Sequence, residues 1–282
     1  MRTEETFDRI SHAITRRPGK NFAEGICPAV GIPNYERALA QHKAYCDALE
    51  KCGVALTVLP ADTQFPDACF ISDMAIVTEY LAVIGSFADN SPRQGEQKDV
   101  ASALAATKIL KFVTAPGKLD CSDVLQIRDH FYIGLSDHTN QEGASQLAFF
   151  LKEYGYKVTM LDLSKEESVQ RLNTAATYLG RDRILIRENL ARHFSFLEYE
   201  KIAVPNKERS GSNAVMVNGT LIMPAGYSET LAAVGDAGIP VIEVNVSEFE
   251  KMNGGLGCLS LRLPKPTENR VIELPLRRKS AA

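Results

Sequence analysis

Apolar and polar residues alternate along the chain in short paired runs. Segments 73–85, 123–135 and 213–226 each contain a β-branched apolar run, a brief polar break and a second apolar run, the pattern of a β-hairpin. The third carries Asn218-Gly219 between its runs, a dipeptide that favours a type I′ turn. A weaker hairpin signal spans 176–186, and 257–263 supplies a last strand. Between the hairpins, 35–52, 97–110 and 140–154 place apolar residues at helical spacing, and strand-like runs such as 54–59, 157–161 and 240–244 follow the helical patterns.

A hairpin, a helix and a further strand recurring every 35 to 55 residues or so denote a closed array in which no unit buries its core alone. Five such units fit into 282 residues. The sequence therefore predicts an α/β fold, a five-bladed α/β propeller with pseudo-fivefold repeats of mixed sheet plus helix, formed as one domain over 1–282. The competing arrangement is a doubly wound parallel sheet. It needs a run of simple βαβ crossovers and a glycine-rich phosphate loop after a strand, and neither is present.

Composition narrows the function without setting it. With 45% apolar and 24% charged residues, the chain has the make-up of a soluble globular domain with a sizeable core. A net charge of -3 with dispersed Lys and Arg provides no broad surface for phosphates, so no nucleic-acid partner is expected. Arg277, Arg278 and Lys279 read as a solvated end. No apolar run approaches the roughly 18 residues of a membrane span, and the first ten residues lack the form of a signal peptide; a cytoplasmic protein with no membrane partner is expected. The six cysteines, at 27, 46, 52, 69, 121 and 258, form no CxxC pair and no Cys/His cluster, which argues against a disulfide scaffold and a metal site. Each is core filler or a reactive thiol.

Four places carry candidate chemistry. Cys258 begins a strand just after Gly254, Gly255 and Gly257, where backbone can approach a ligand closely; a buried strand cysteine explains the local sequence equally well. Asp67 and Asp73 flank Phe70, an arrangement suited to a flat cation, with carboxylates on its N–H edges and an aromatic over its face, although aspartates also simply form turns. Asp120 and Asp123 precede the next hairpin and are able to bind substrate or exchange a proton. Arg93 either holds a substrate carboxylate or pairs with Glu96.

Taken in order, 11–22, 59–62, 65–67 through Asp73, 91–93 with Glu96, Leu119-Asp120 with Asp123-Val124, 134–136 with Thr139-Asn140, 224–226 and 254–262 resemble the dimethylarginine dimethylaminohydrolase family, a branch of the guanidine-modifying enzymes (penteins). The likeness runs over nearly the whole chain. It implies that Cys258 attacks a guanidinium carbon, that an amine leaves, and that water hydrolyses the thiouronium adduct to citrulline with no cofactor. It further implies that Asp67 and Asp73 bind the guanidinium edge, that Asp120 does so from the other side as a catalytic residue, that Arg93 helps to hold the amino-acid end, and that Ile26, Phe70, Ser72 and His138 border the substrate. The segment 19–34 stands where a lid is expected by analogy, with a plain surface loop as the alternative. The implied partner is a small guanidine or amidine, and a homodimer is compatible with the family.

The chain departs from the pattern at the centre. The family's general acid/base is a histidine followed by leucine, and Arg171-Leu172 stands there. Arginine does not shuttle protons near neutrality, although it stabilises a thiolate or binds an anion. Ser72 replaces a usual glutamate, Cys121-Ser122 two glycines, and His138 an arginine; a His138 brought close to the thiol would be a substitute proton carrier. The expected function is a cofactor-independent hydrolase of guanidine or amidine C–N bonds. The alternatives are a catalytically impaired or substrate-shifted homologue that binds an arginine-like ligand, and an amidinotransferase.

Overall fold

A computed structural model describes residues 9–25, 31–88, 90–163, 169 and 171–265. They form five three-stranded sheets arranged as blades. The first contains β3 (Ala75–Val77), β4 (Leu81–Ile84) and β5 (Ile109–Phe112); the second β6 (Val124–Ile127), β7 (His130–Leu135) and β8 (Lys157–Asp162). The third contains β9 (Ala176–Gly180), β10 (Arg183–Arg187) and β11 (Glu200–Val204); the fourth β12 (Val215–Val217), β13 (Thr220–Pro224) and β14 (Val241–Val244). In each, the first two strands pair antiparallel and the second pairs parallel with the third. A parallel neighbour needs a crossover. Helix α2 (Gln97–Ala105), α3 (Gln141–Glu153) and α5 (Ser228–Asp236) supply it in the first, second and fourth blades. The third blade makes do with a short connection through the turn Phe194–Phe196, which is why its sequence signal is weak.

The fifth blade joins the two ends of the chain. β15 (Ser260–Pro264) pairs antiparallel with β1 (Ile10–Arg16), Ile14 opposite Leu261, and β1 pairs parallel with β2 (Ala55–Leu59) across α1 (Tyr35–Lys51). The propeller is thereby closed by a hairpin whose strands lie at opposite ends of the sequence. Asn34 and Asn140 start α1 and α3 by accepting from the backbone N–H of Arg37 and Gly143, which satisfies donors a helix start would leave open.

Each core cluster is shared by adjacent blades. Val83 and Leu81 of the first pack with Phe131 and Ile133 of the second; Ile14 and Leu261 of the fifth pack with Ala82 and Ile84 of the first. Each blade thus buries apolar surface against both of its neighbours, and removing one would expose two interfaces. Among the described residues no helix is long and apolar enough to cross a membrane.

The site follows from the repeat. Strands β3, β6, β9, β12 and β15 line the axis, and each is entered from a short helical segment: Ile71–Met74, Cys121–Asp123, α4 (Leu172–Ala175), the kinked Asn206–Ser212 and Leu256–Cys258. These turns pack against one another. Every blade therefore delivers a side chain to the same end of the axis.

Candidate active site

Cys258 closes the last of these turns and is wholly buried. Its glycine-rich approach permits close packing, but against protein: a Cβ on Gly254 would collide with the Phe70 ring, and one on Gly255 with the Asn213 side chain. Asn213 Oδ1 accepts from Gly257 N at 2.9 Å, and the Asn213 side chain also bonds the thiol. Burial, and then the charge of Asp73, push the Cys258 thiol up to about 12, while Arg171, Gly255 and Asn213 pull the other way. The resting sulfur is a protonated thiol that needs added positive charge to become a nucleophile.

Two arginines organise the carboxylates. Arg93 is buried and holds Glu96 through two bonds, Nε to Oε2 at 2.9 Å and Nη2 to Oε1 at 2.7 Å, while its Nη1 donates to Asp73 Oδ2 at 2.8 Å. Its cation also lies over Phe87, 5.0 Å from the ring centre. The local pairing with Glu96 is thus present, and Arg93 acts on the site by fixing Asp73. Arg171 Nε donates to Asp120 Oδ2 at 3.1 Å. Asp120 Oδ1 accepts from Ser122 N at 2.9 Å and Ser122 Oγ at 2.6 Å. Burial opposes the Asp120 charge, but Arg171, Arg93 and Ser122 outweigh it and hold the carboxyl below its ordinary range.

The other two aspartates behave oppositely. Asp73 is fully buried, and burial followed by the Asp120 charge raises it to about 6. Burial, and again Asp120, raise Asp123 to about 7, although its Oδ2 accepts from Ser136 Oγ at 2.6 Å and Thr139 Oγ1 at 2.7 Å. Asp73 Oδ1 and Asp123 Oδ1 are buried without a hydrogen-bond partner among the described residues. The cluster therefore offers two carboxyl oxygens free to receive a donor, on groups that exchange protons near neutrality.

This has a consequence for stability. A carboxyl raised in the fold contributes stability that is complete below its ordinary value of 3.8 and is lost as pH rises through about 7 for Asp123. Asp123→Asn is expected to remove part of that loss, so that the fall in unfolding free energy from pH 5 to pH 8 shrinks by roughly 1–3 kcal/mol. Urea unfolding at the two pH values measures it; an unchanged difference would show that Asp123 is ionised throughout.

The remaining expected site residues are placed as follows. Asp67 is buried, its carboxylate against Gly25. Phe70 packs against Phe22 and Phe249, with ring centres 6.1 and 6.2 Å away, beside the approach of Gly254 to the Cys258 turn. Ser72 Oγ is buried without a partner among the described residues. His138 stands exposed in the loop after β7, its backbone N–H bonded to Ser136 Oγ; no hydrogen bond from its ring to the site is found among the described residues. Ile26, Cys27 and the middle of segment 19–34 lie outside the described residues. Among the described residues no group of His, Cys, Asp and Glu is disposed to hold a metal ion. Asn213 was missed by sequence reasoning, yet its position just before an inner strand, matching those of Asp73, Asp123 and Cys258, was the available signal.

Five mixed three-stranded blades with a cysteine, carboxylates and an amide meeting at one end of the axis define the guanidine-modifying class of α/β propellers. Residues 32–186 match the family described as N,N dimethylarginine dimethylhydrolase, eukaryotic. The chain is 35% identical to the N(G),N(G)-dimethylarginine dimethylaminohydrolase of Pseudomonas aeruginosa, over 90% of this chain and 99% of that one. It is 32% identical to the Streptomyces coelicolor enzyme of the same name, over 89% and 96%. The crystal structure of a mutant of the Pseudomonas enzyme complexed with citrulline superposes with a TM-score of 0.86 at 34% identity, covering 90% of this chain and 100% of that one. The chain belongs to the dimethylarginine dimethylaminohydrolase family, a family of hydrolases.

Proposed function

We propose that the protein hydrolyses a C–N bond of a small guanidine or amidine through Cys258, with Nω-methylated arginine as the reference substrate. The observation that carries this reading is the convergence on one buried end of the axis of a thiol, two carboxyls with an unsatisfied oxygen and a third held ionised. A guanidinium cation entering there meets Asp73 Oδ1 on an N–H edge and brings positive charge to the sulfur. That charge offsets the Asp73 effect and part of the burial effect that keep the thiol protonated.

In the first half of the reaction the S–C bond forms as the thiol loses its proton, and the C–N bond to the methylated nitrogen breaks as that nitrogen gains one. In the second half a water adds to the carbon, the S–C bond breaks and the sulfur recovers a proton, leaving citrulline and an amine. Asp73 is the proton carrier best placed for both halves: it is electrostatically coupled to the sulfur and is raised to about 6, whereas Arg171 stays charged throughout. Arg171 and Asp120 form the opposite wall.

The Arg171–Asp120 pair favours a second reading. A side-chain guanidinium already lies on the carboxylate expected to receive the substrate's guanidinium, as in a protein that keeps an arginine-like ligand without turning it over. Assay of purified protein with mono- and dimethylarginine separates the two. Citrulline and amine formed in equal amounts, and lost in Cys258→Ala by a factor of about 10³ or more, support hydrolysis. Ligand binding with no product above background in either protein supports the second reading.

A further inference from the structure

The inner strands enclose a cavity of about 1050 Å³. Its inner end is formed by Ser72, Cys121, Asn173 and Gly257, chain neighbours of Asp73, Asp120, Arg171 and Cys258, and from there it runs along the strands to the opposite end of the propeller, where the hairpin tips lie. Five arginines line it: Arg9, Arg128, Arg181, Arg183 and Arg262. None of the described residues lining it is Asp or Glu. Three separate blades contribute these cations in a chain whose net charge is -3, so the charge in the cavity is opposite in sign to that of the whole molecule.

Few carboxylates among the described residues lie close to these cations. Among the described residues only Arg128 has a carboxylate within ion-pair distance, Asp182 at 2.9 Å. Arg183 Nη1 donates to Ala237 O at 2.8 Å, and Arg262 Nη1 donates to Ser260 Oγ at 3.2 Å, neutral partners that orient both groups without a carboxylate among the described residues.

Backbone conformation gives a second, independent sign. Arg128 and Arg181 sit at hairpin tips with φ of 56° and 51°, in the left-handed region that disfavours a side chain of this kind. The corresponding tip between β12 and β13 uses Asn218 and Gly219 at φ of 49° and 88°, the residues that such turns prefer. Turn geometry does not call for arginine at the other two tips: Arg128 reaches Tyr178 Oη at 3.0 Å and Asp182 at 2.9 Å across the blade junction, and Arg181 stands exposed at the cavity mouth.

We propose that the basic end of this axial cavity binds a small multivalent oxyanion. Guanidinium forks bond carboxylate and phosphate oxygens in pairs, and walls of low dielectric focus their field on the enclosed space. The site is separate from the Cys258 cluster and does not depend on the hydrolytic reading.

Glycine adopts the left-handed conformation freely, so Arg128→Gly combined with Arg181→Gly removes two cations without straining the turns. Calorimetric titration with pyrophosphate and with citrate at fixed ionic strength tests the site, with thermal unfolding in the absence of anion as the check on folding. The wild-type protein is expected to bind at least one of the two with a submillimolar Kd. The double variant should bind about tenfold or more weakly while still unfolding cooperatively, with a midpoint lowered by no more than a few degrees through loss of the Arg128 contacts to Tyr178 and Asp182. Tighter pyrophosphate would mark a phosphate ligand and tighter citrate a polycarboxylate. Absence of binding by the wild type at millimolar anion, or equal binding by the variant, would overturn the proposal.

Discussion

Replacing Arg171 by histidine is expected to raise citrulline formation by about 10²-fold or more, the range a well-placed general acid/base contributes. Burial works against the Arg171 charge, but Asp120, Asp73 and Cys258 outweigh it and hold the guanidinium fully charged. Such a group can stabilise an anion but cannot deliver a proton to the departing amine or take one from the attacking water. An imidazole at the same place titrates in the working range, and the change also frees Asp120 Oδ2 for a substrate N–H. The gain should appear in kcat, with a new limb in the pH–rate profile between about pH 6 and pH 8. Arg171→Gln is the control, because it removes the charge without supplying a titrating group. Equal rates in all three proteins would mean that proton transfer through Asp73 does not limit the reaction and that a histidine at 171 adds nothing to it.

Arg93→Met should be the most damaging change outside the thiol, costing about 3–5 kcal/mol of stability. The arginine satisfies Asp73 and Glu96 simultaneously, all three being buried. Methionine fills a similar length of the interior yet leaves two carboxylates without a cation. Those carboxylates escape part of the penalty by taking up protons, so the loss should be larger at pH 8 than at pH 5. Equilibrium urea unfolding at both pH values provides the test. A cost under 1 kcal/mol at pH 8 would show that the three groups are not organised as a clamp.

How far the sequence revealed all this depended on the range over which each signal acts. Segments 73–85, 123–135 and 213–226 were readable because a hairpin's register and turn are encoded within about a dozen residues. The blade containing β1 and β15 was not, since its strands are separated by most of the chain and no local pattern pairs Ile14 with Leu261. The same limit applies at the site. Arg93 and Glu96 are three residues apart and their pairing could be read directly; that the same guanidinium also reaches Asp73 required the fold. Sequence does not reveal which rings surround a ring, and the packing of Phe70 against Phe22 and Phe249 likewise required the fold. The axial arginines looked scattered because the repeat, not the sequence order, brings them together.

The proposed hydrolysis requires a buried thiol that becomes a nucleophile only when an amidinium cation arrives beside it. Alkylation of the protein by chloroacetamidine and by neutral chloroacetamide, which share a leaving group, followed by peptide mapping of the cysteines, tests this directly. The cationic reagent should modify Cys258 at least about tenfold faster than the neutral one, with protection by citrulline, while the half-buried Cys52 shows no such preference. Equal rates at Cys258 for the two reagents, or modification that leaves Cys258 untouched, would contradict it.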